Sequence, residues 1–335
     1  MRPVITVLLG DPRLPDRSKP GGRFTDDCFD QVVRLKSALG ELDDYRFDYR
    51  NDHEHLLDDL RDNPPDFVLN FCDTGYRNQA ALELHIAAYL EMLGIPYSGS
   101  GPVPLGLCYD KGLVRAAAQS IGVPVPRETL LLPGQPLPEI AYPAFIKPNR
   151  GDGSVGITVR SVVHDQSAAA DYIAQLRGEL PEESLIVQEF LSGDEYGVGM
   201  IGNPGSGFTM LPVLEVDYSA LDPSLPRLLD YSSKTDPDSP YWQDIRFAAA
   251  RLDDAVQQRM RGWCQALFER LGLRDYARFD FRTDAAGDIK LMEINPNPAW
   301  CWDGKLAHMA ELQDLRHSGL LRLIIEAARA RCFTA

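Results

Sequence analysis

A segment with the pattern of a β-hairpin, YARFDFRTDAAGDIKLMEINP at 276–296, carries Asp280 on its first strand and Glu293 and Asn295 on its second. Residues two apart on a strand share a face, so Arg278 and Asp280 point together, as do Glu293 and Asn295 on the second strand. The turn TDAAGD can bring both pairs to one point, and hard oxygen ligands grouped in this way suit Mg²⁺. The alternative is a solvated face with surface ion pairs. Against it, the second strand is apolar, and buried unpaired carboxylates are costly.

A second segment, AFIKPNRGDGSVGI at 144–157, offers the opposite charge. Lys147 closes an apolar strand, and a loop with Gly151, Gly153 and Gly156 follows it. Such a loop lets backbone N–H groups approach an anion closely, while the lysine adds positive charge. A Walker A loop would instead place its lysine after the glycines, at the start of a helix. The alternative is a glycine-rich surface turn with a solvated lysine.

Composition narrows the class of protein. The chain has 335 residues, of which 44% are hydrophobic and 25% charged, as in a globular protein of two or three subdomains. Its net charge of −15 argues against a nucleic-acid partner. Six cysteines without C-x-x-C spacing indicate neither a disulfide framework nor a zinc site. The absence of a long apolar run or a signal-like N-terminus predicts a cytoplasmic protein with no membrane partner.

The elements that must position these residues alternate between strand and helix. Before residue 105 the patterns predict strands at 4–9, 45–49 and 66–71 and helices at 26–39 and 80–93. This alternation predicts a parallel sheet with helices on its faces. No G-x-G-x-x-G fingerprint follows the first strand, which argues against dinucleotide binding.

Glycine and proline residues mark the predicted boundaries of two further regions in the rest of the chain. The second region has a helix in DKGLVRAAAQSIG and strands at AFIKP and SLIVQEFL. The third has strands near Val198 and Leu214, a long loop over 217–241, a helix over 252–271, the hairpin and an apolar C-terminal helix. We therefore predict an α/β protein of three units, at 1–105, 106–195 and 196–335.

Several segments, taken in order, resemble the ATP-grasp superfamily and, within it, the D-alanine–D-alanine ligases. The similarity runs from about residue 90 to the C-terminus and is weaker upstream of about residue 75. It is carried by LEMLGIPYSGSG, DKGLVRAAAQSIGVPVP, KPNRGDGSVGI, VQEFLSGDE, DYSSK and the hairpin. The resemblance implies an ATP-grasp fold with an N-terminal Rossmann-like (pre-ATP-grasp) domain, a central small domain and a C-terminal subdomain. It also implies an ATP-dependent carboxylate–amine ligase that forms an acyl phosphate and releases ADP and phosphate.

The resemblance implies a role for each matching position. The nucleotide residues are Lys111 and Lys147 at the α- and β-phosphates, Ser154 over the terminal phosphates, Gln188 and Leu191 at the adenine, Glu195 at the ribose and Lys234 at the γ-phosphate. The Gln188-Glu189 pair replaces the family's Glu-Lys, so adenine recognition differs there. Asp280, Glu293 and Asn295 match the ligands of two Mg²⁺ ions, for which Mn²⁺ can substitute. Arg278 matches the arginine beside the acyl phosphate and the tetrahedral intermediate.

Positions that bind the amino acids in the family are different here. The segment at 10–24 lacks the serine–glutamate pattern, and CDTGYRN at 72–78 replaces a His-Gly followed by acidic residues. Thr235 follows the loop lysine in place of tyrosine, and Gly304 falls where a serine is expected. We therefore expect an amino acid and a small carboxylate or cyclic amino-acid-like substrate, not two D-alanines. A true D-alanine–D-alanine ligase is the alternative, whereas a non-catalytic nucleotide-binding module would be expected to lose the lysines and metal ligands.

Two tryptophans and a lysine follow the hairpin. Trp300 and Trp302 share a face if the chain is extended, and with Lys305 they would suit a flat or cyclic carboxylate. The alternative is that both indoles fill the core. The implied partners are small-molecule carboxylates and amines. A homodimer is also compatible with the sequence.

Overall fold

The computed structural model describes residues 2–333. The N-terminal unit is a three-stranded parallel sheet in the order β2–β1–β3, as the alternating pattern predicts. The apolar run of the first strand places it in the middle, where four of its five residues are buried. The elements are β1 (Val4–Leu8), α1 (Asp26–Gly40), β2 (Arg46–Arg50), α2 (Leu56–Asp62), β3 (Val68–Asn70) and α3 (Glu83–Leu93).

The second sheet is antiparallel, with strand order β4–β7–β5–β6. Its elements, with the two helices that precede it, are α4 (Pro102–Tyr109), α5 (Lys111–Ser120), β4 (Glu128–Leu131), β5 (Ala144–Pro148), β6 (Val162–Val163), α6 (Gln166–Glu179) and β7 (Leu185–Glu189). Helix α6 covers one face through Tyr172, Ile173 and Leu176, which pack on Ile146. That packing fixes the strand that ends in Lys147.

The third sheet has the order β11–β10–β8–β12–β13, and β9 pairs with β8. Its central strand β8 is buried along its whole length. The elements are β8 (Glu195–Asn203), β9 (Gly207–Met210), β10 (Leu214–Asp217), α7 (Ser232–Thr235), α8 (Pro240–Gln243), β11 (Arg246–Ala249), α9 (Asp254–Leu271), β12 (Tyr276–Thr283), β13 (Ile289–Asn295), α10 (Lys305–Glu311) and α11 (His317–Phe333).

The α/β fold class is confirmed, but some local predictions are corrected. The strands β9 and β11 were not expected, and the loop over 217–241 contains the short helices α7 and α8. The boundary placed near residue 105 falls inside α4. Helix α5, expected in the central unit, packs Val114 and Ala118 against Phe279 and Leu291 of the third sheet. The three-unit division therefore stays a prediction.

The C-terminal helix joins the first and third sheets. Leu320 and Ile324 of α11 lie in one core with Ile5 and Leu69 of the first sheet and Ile201 of the third. Burial of this shared apolar surface holds the first sheet beside the β12–β13 hairpin. Among residues 2–333, no helix is both long enough and apolar enough to cross a membrane.

Candidate active site

The hairpin brings its polar residues together as predicted. Arg278 lies opposite Asn295, and Asp280 lies opposite Glu293. The register then shifts, because Phe281 pairs with Leu291 and leaves one extra residue on β13. Such a bulge increases the local twist of the two strands. The two pairs of side chains thus point from the same face of the sheet.

Asp280 is a fully paired carboxylate. Nε of Arg278 donates to Oδ1 of Asp280 at 2.9 Å, and Nη2 of Arg278 donates to Oδ2 at 2.9 Å. Burial by itself would raise the pKa of Asp280, but Arg278 and Lys305 outweigh it and hold the pKa at about 2. The same pairing raises the pKa of Arg278 against the effect of burial. Both side chains are therefore ionised across the physiological pH range.

Glu293 and Asn295 present oxygens that fit a hard cation. Among residues 2–333, the Glu293 carboxylate has only the Asn295 amide as a hydrogen-bond partner, at 3.4 Å. The amide nitrogen of Asn295 faces the two carboxylates, so its oxygen points away from them. Burial and Asp280 would raise the pKa of Glu293, but Lys111 and Lys147 lower it. An ionised carboxylate and an amide oxygen are the ligands that Mg²⁺ takes besides phosphate.

Two lysines lie across from these ligands. Lys111 is the first residue of α5, and its Nζ donates to the Gly151 carbonyl at 2.6 Å. Lys147 is the penultimate residue of β5 and is buried. Desolvation and the neighbouring Lys111 lower the pKa of Lys147 to about 8, while Glu293 and Glu128 oppose this shift. Among the described residues, no carboxylate forms an ion pair with Lys147, and a bound phosphate would supply this buried cation with an anionic partner.

The glycine-rich loop and the loop of α7 meet over the hairpin. Nζ of Lys234 donates to Oγ of Ser154 at 3.0 Å, and this hydroxyl donates to the Leu229 carbonyl at 3.1 Å. Desolvation lowers the pKa of Lys234, and Glu293 opposes the effect. One cavity is lined by Lys111, Pro148, Arg150, Gly151, Asp152, Gly153, Ser154, Val155, Ile157, Lys234, Arg278, Glu293 and Asn295.

A loop of the N-terminal unit, at residues 17–19, covers the cavity together with the glycine-rich loop and the loop of α7. The hydroxyl of Tyr231 donates to the carbonyls of Arg17 and Lys19, at 3.1 and 3.2 Å. Gly153 has φ +66°, and a Cβ there would lie 3.1 Å from Cβ of Ser18. Only glycine fits this left-handed, crowded position without strain. Loops attached to all three sheets therefore cover the cavity.

The residues predicted at the adenine and ribose lie between the second and third sheets, outside the cavity lining. Gln188 and Leu191 are buried on either side of the end of β7. Glu195 begins β8 and is also buried. Its Oε2 accepts from the Tyr218 hydroxyl at 2.7 Å, and its Oε1 accepts from Nζ of Lys305 at 3.2 Å. Both oxygens of the predicted ribose carboxylate are thus engaged by protein groups.

The aromatic wall expected from Trp300 and Trp302 does not form. Trp300 packs on Phe71 and donates its indole N–H to the Phe71 carbonyl at 2.9 Å. Trp302 is 41% exposed, with the Arg34 guanidinium 4.3 Å from its ring centroid. Trp302 lies inside a turn that is closed by the Gly304 N–H donating to the Cys301 carbonyl at 3.0 Å, so the chain is not extended there and the two indoles do not share a face. Nζ of Lys305 lies 3.2 Å from the Glu195 carboxylate and 3.6 Å from the Asp280 carboxylate, so this lysine contacts carboxylates of the protein itself.

Two further residues of this region were missed. Arg282 is buried and donates from Nε to the Gly193 carbonyl at 3.1 Å. It lies two residues after Asp280, so strand alternation could have placed it on the same face. Tyr218 follows β10 and reaches Glu195 only through the tertiary fold, so no local pattern marks it.

The chain is similar to known D-alanine–D-alanine ligases in sequence and in fold. The chain is 29% identical over 249 residues to the D-alanine–D-alanine ligase of Oleidesulfovibrio alaskensis, covering 73% of this chain and 74% of that protein. It is 27% identical over 251 residues to an uncharacterized protein, y4sG, of Sinorhizobium fredii, covering 74% and 71%. The crystal structure of D-alanine–D-alanine ligase from Bacillus anthracis complexed with ATP superposes with a TM-score of 0.72 and 19% identity, over 98% of both chains. That likeness shows the fold.

The sheets, the glycine-rich loop and the polar hairpin are arranged in an ATP-grasp fold. A family model, D-ala D-ala ligase C-terminus, matches residues 134–326, which is more than half of the chain. The chain therefore belongs to that family and is an ATP-grasp ligase of the D-alanine–D-alanine ligase type. The resemblance drawn from the motifs is confirmed.

Proposed function

We propose that the protein is an ATP-dependent carboxylate–amine ligase that activates a carboxylate as an acyl phosphate and releases ADP and phosphate. The observation that carries this proposal is the single cavity onto which Lys111, Lys234, Arg278, Glu293 and Asn295 converge. ATP and a carboxylate are both anions, so transfer of the γ-phosphoryl group requires cations that are already fixed in place. The cavity offers them beside oxygens that fit Mg²⁺.

Each cation has a separate part in this reaction. Lys111 and Lys147 hold the α- and β-phosphates, and Lys234 holds the γ-phosphate next to the hydroxyl of Ser154. Glu293 and Asn295 would hold Mg²⁺, which would neutralise charge on the phosphates. The amine then attacks the acyl carbon, and Arg278 donates to the oxygen on which negative charge develops. Gln188 and Leu191 contact the adenine, and the predicted ribose contact of Glu195 requires Tyr218 or Lys305 to yield one oxygen.

The covering loops protect the intermediate. An acyl phosphate hydrolyses in water, so the cavity must close before the phosphoryl group moves. Ser154 with Lys234, and Tyr231 with the carbonyls of Arg17 and Lys19, join the three loops in the closed arrangement. Substrates enter when these few contacts open. We propose that the units at 1–105, 106–195 and 196–335 move relative to one another in that step.

For the substrates, we propose an amino acid joined to a small carboxylate or a cyclic amino-acid-like molecule. The support is the changed sequence at 10–24 and 72–78, at Thr235 and at Gly304. A second candidate is D-alanine joined to D-alanine, which family membership and the named Oleidesulfovibrio relative favour.

An ADP-release screen separates these candidates. Purified enzyme with ATP and Mg²⁺ is offered carboxylates paired with amino acids, D-alanine included, and products are identified by mass spectrometry. We expect ADP release and an amide with a pair other than two D-alanines. D-Alanyl-D-alanine formed with a kcat/KM of about 10⁴ M⁻¹s⁻¹ or more would establish the second candidate instead. No ADP release with any pair would refute the ligase proposal.

A further inference from the structure

The two carboxylates of the hairpin differ in what surrounds them. Asp280 is 3% exposed, does not line the cavity and is contacted by Arg278 at 2.9 Å on both oxygens. The Asn295 amide lies 3.4 Å from its Oδ2, and Nζ of Lys305 lies 3.6 Å from the same atom. Glu293 lines the cavity and makes no ion pair with any residue in 2–333. The hairpin therefore presents one available carboxylate.

Two glycines of β8 put Lys305 beside Asp280. A Cβ at Gly197 would lie 2.7 Å from Cε of Met309, and one at Gly199 would lie 2.7 Å from Cδ2 of Leu306. Because these glycines carry no side chain, α10 packs directly on the strand. The first residue of α10 is then held at the end of β8, between Glu195 and Asp280. The backbone of β8 thus determines where the ammonium lies.

The ammonium of Lys305 cannot easily leave this position. Its side chain is 13% exposed, and it bridges two carboxylates that are almost completely buried. Withdrawal would leave Glu195 with the Tyr218 hydroxyl and the more distant Arg282, and an unpaired buried charge is strongly unfavourable. A Mg²⁺ bound to Asp280 would need an oxygen at about 2.0–2.1 Å. It would then stand next to the ammonium, with like charge.

We propose that the active site holds one Mg²⁺, at Glu293 and Asn295, and that Lys305 occupies the place beside Asp280 that a second ion would require. This inference rests on the ligase proposal and replaces the expectation of two ions. Lys305 is a positioning residue: it fixes Asp280, and Asp280 in turn orients Arg278 towards the cavity. The pair Lys305–Arg278 then provides permanent positive charge where a second ion would otherwise provide it.

Electron paramagnetic resonance of bound Mn²⁺ tests the proposal. The full chain is titrated with Mn²⁺ in the presence of a non-hydrolysable ATP analogue, and bound ions are counted by equilibrium dialysis. We expect one Mn²⁺ per chain with the spectrum of an isolated ion. Lys305→Met removes the ammonium, so we expect a second ion at Asp280 and the spin coupling of a pair about 3.5–4 Å apart. Lys290→Met is the matched control, because Lys290 also bridges two carboxylates, Glu189 and Asp284, and neither of them is a predicted metal ligand.

The outcomes are distinct. Two coupled ions in the wild type would overturn the proposal and leave the ligase function standing. A single ion in Lys305→Met would show that the ammonium does not exclude the second. If Lys305→Met is misfolded by circular dichroism, Lys305→Gln replaces it with the same expectation of two ions. Failure of the wild type to bind the ATP analogue at all would refute the ligase proposal itself.

Discussion

The buried lysine at the end of β5 makes nucleotide binding depend on pH. In the free protein, desolvation and Lys111 lower the pKa of Lys147 to about 8. A bound phosphate favours the charged ammonium, so it raises this pKa, and binding takes up a proton above pH 8. The affinity contributed by Lys147 is therefore complete below pH 8 and decreases as the pH rises further. Glu293 and Glu128 raise the pKa of Lys147, but in the free protein they do not outweigh desolvation and Lys111.

The size of this effect follows from the pKa. At pH 9, one unit above the pKa of Lys147, about one-tenth of the free protein carries the charged lysine, so affinity should fall about tenfold, or about 1.4 kcal/mol. Isothermal titration calorimetry with a non-hydrolysable ATP analogue and Mg²⁺, from pH 7 to 9.5, measures it. Buffers with different ionisation enthalpies reveal the proton taken up. Lys147→Met should bind more weakly at pH 7 and lose this slope, whereas Lys290→Met should keep it.

Two results would refute this reasoning about Lys147. The wild-type affinity could stay constant from pH 7.5 to 9.5, which would mean that Lys147 does not titrate there or does not contact the phosphates. The slope could also persist in Lys147→Met, which would assign it to another group, such as Lys234, whose pKa is also lowered by desolvation.

The remaining predictions concern the metal, the oxyanion and the lid. Glu293→Gln keeps the size of the side chain but removes the charge that holds Mg²⁺. Turnover should therefore fall by about 10² or more, with an unchanged circular dichroism spectrum. Near-normal turnover at saturating Mg²⁺ would show that Glu293 does not belong to the site. Arg278→Ala should keep its affinity for the ATP analogue within a few-fold. Steady-state kinetics should show a loss of about 2.7–4 kcal/mol of transition-state stabilisation. Lost affinity with unchanged turnover would instead make Arg278 a nucleotide anchor. Gly153→Ala strains the closed loop, so more ADP should form per amide than in the wild type; an equal ratio in both proteins would separate this loop from water exclusion.

Local patterns predicted the hairpin and the face that its polar residues share. Period-two alternation and the turn residues between the strands were sufficient to place Arg278, Asp280, Glu293 and Asn295 on one face, because strand geometry is local. Lys147 was placed at the end of a strand for the same reason. The order of the motifs then predicted the ATP-grasp fold, which the family match confirms.

What the sequence did not predict depends on packing between distant elements. The contact of Lys305 with Asp280 requires α10 to lie on Gly197 and Gly199, and no spacing in the sequence encodes that approach. The helix α4 was not expected either, because the Gly-Pro pair at its start reads as a breaker, whereas proline is well tolerated in the first turn of a helix.

Transfer of ¹⁸O tests the central claim most directly. The carboxylate identified by the ADP-release screen is labelled with ¹⁸O and turned over with ATP and the amine, and the phosphate is analysed by mass spectrometry. Formation of an acyl phosphate joins a carboxylate oxygen to the γ-phosphorus, and attack by the amine releases that oxygen in phosphate. We predict ADP and phosphate with one ¹⁸O per amide formed. Unlabelled phosphate, or the label in AMP, would contradict the mechanism.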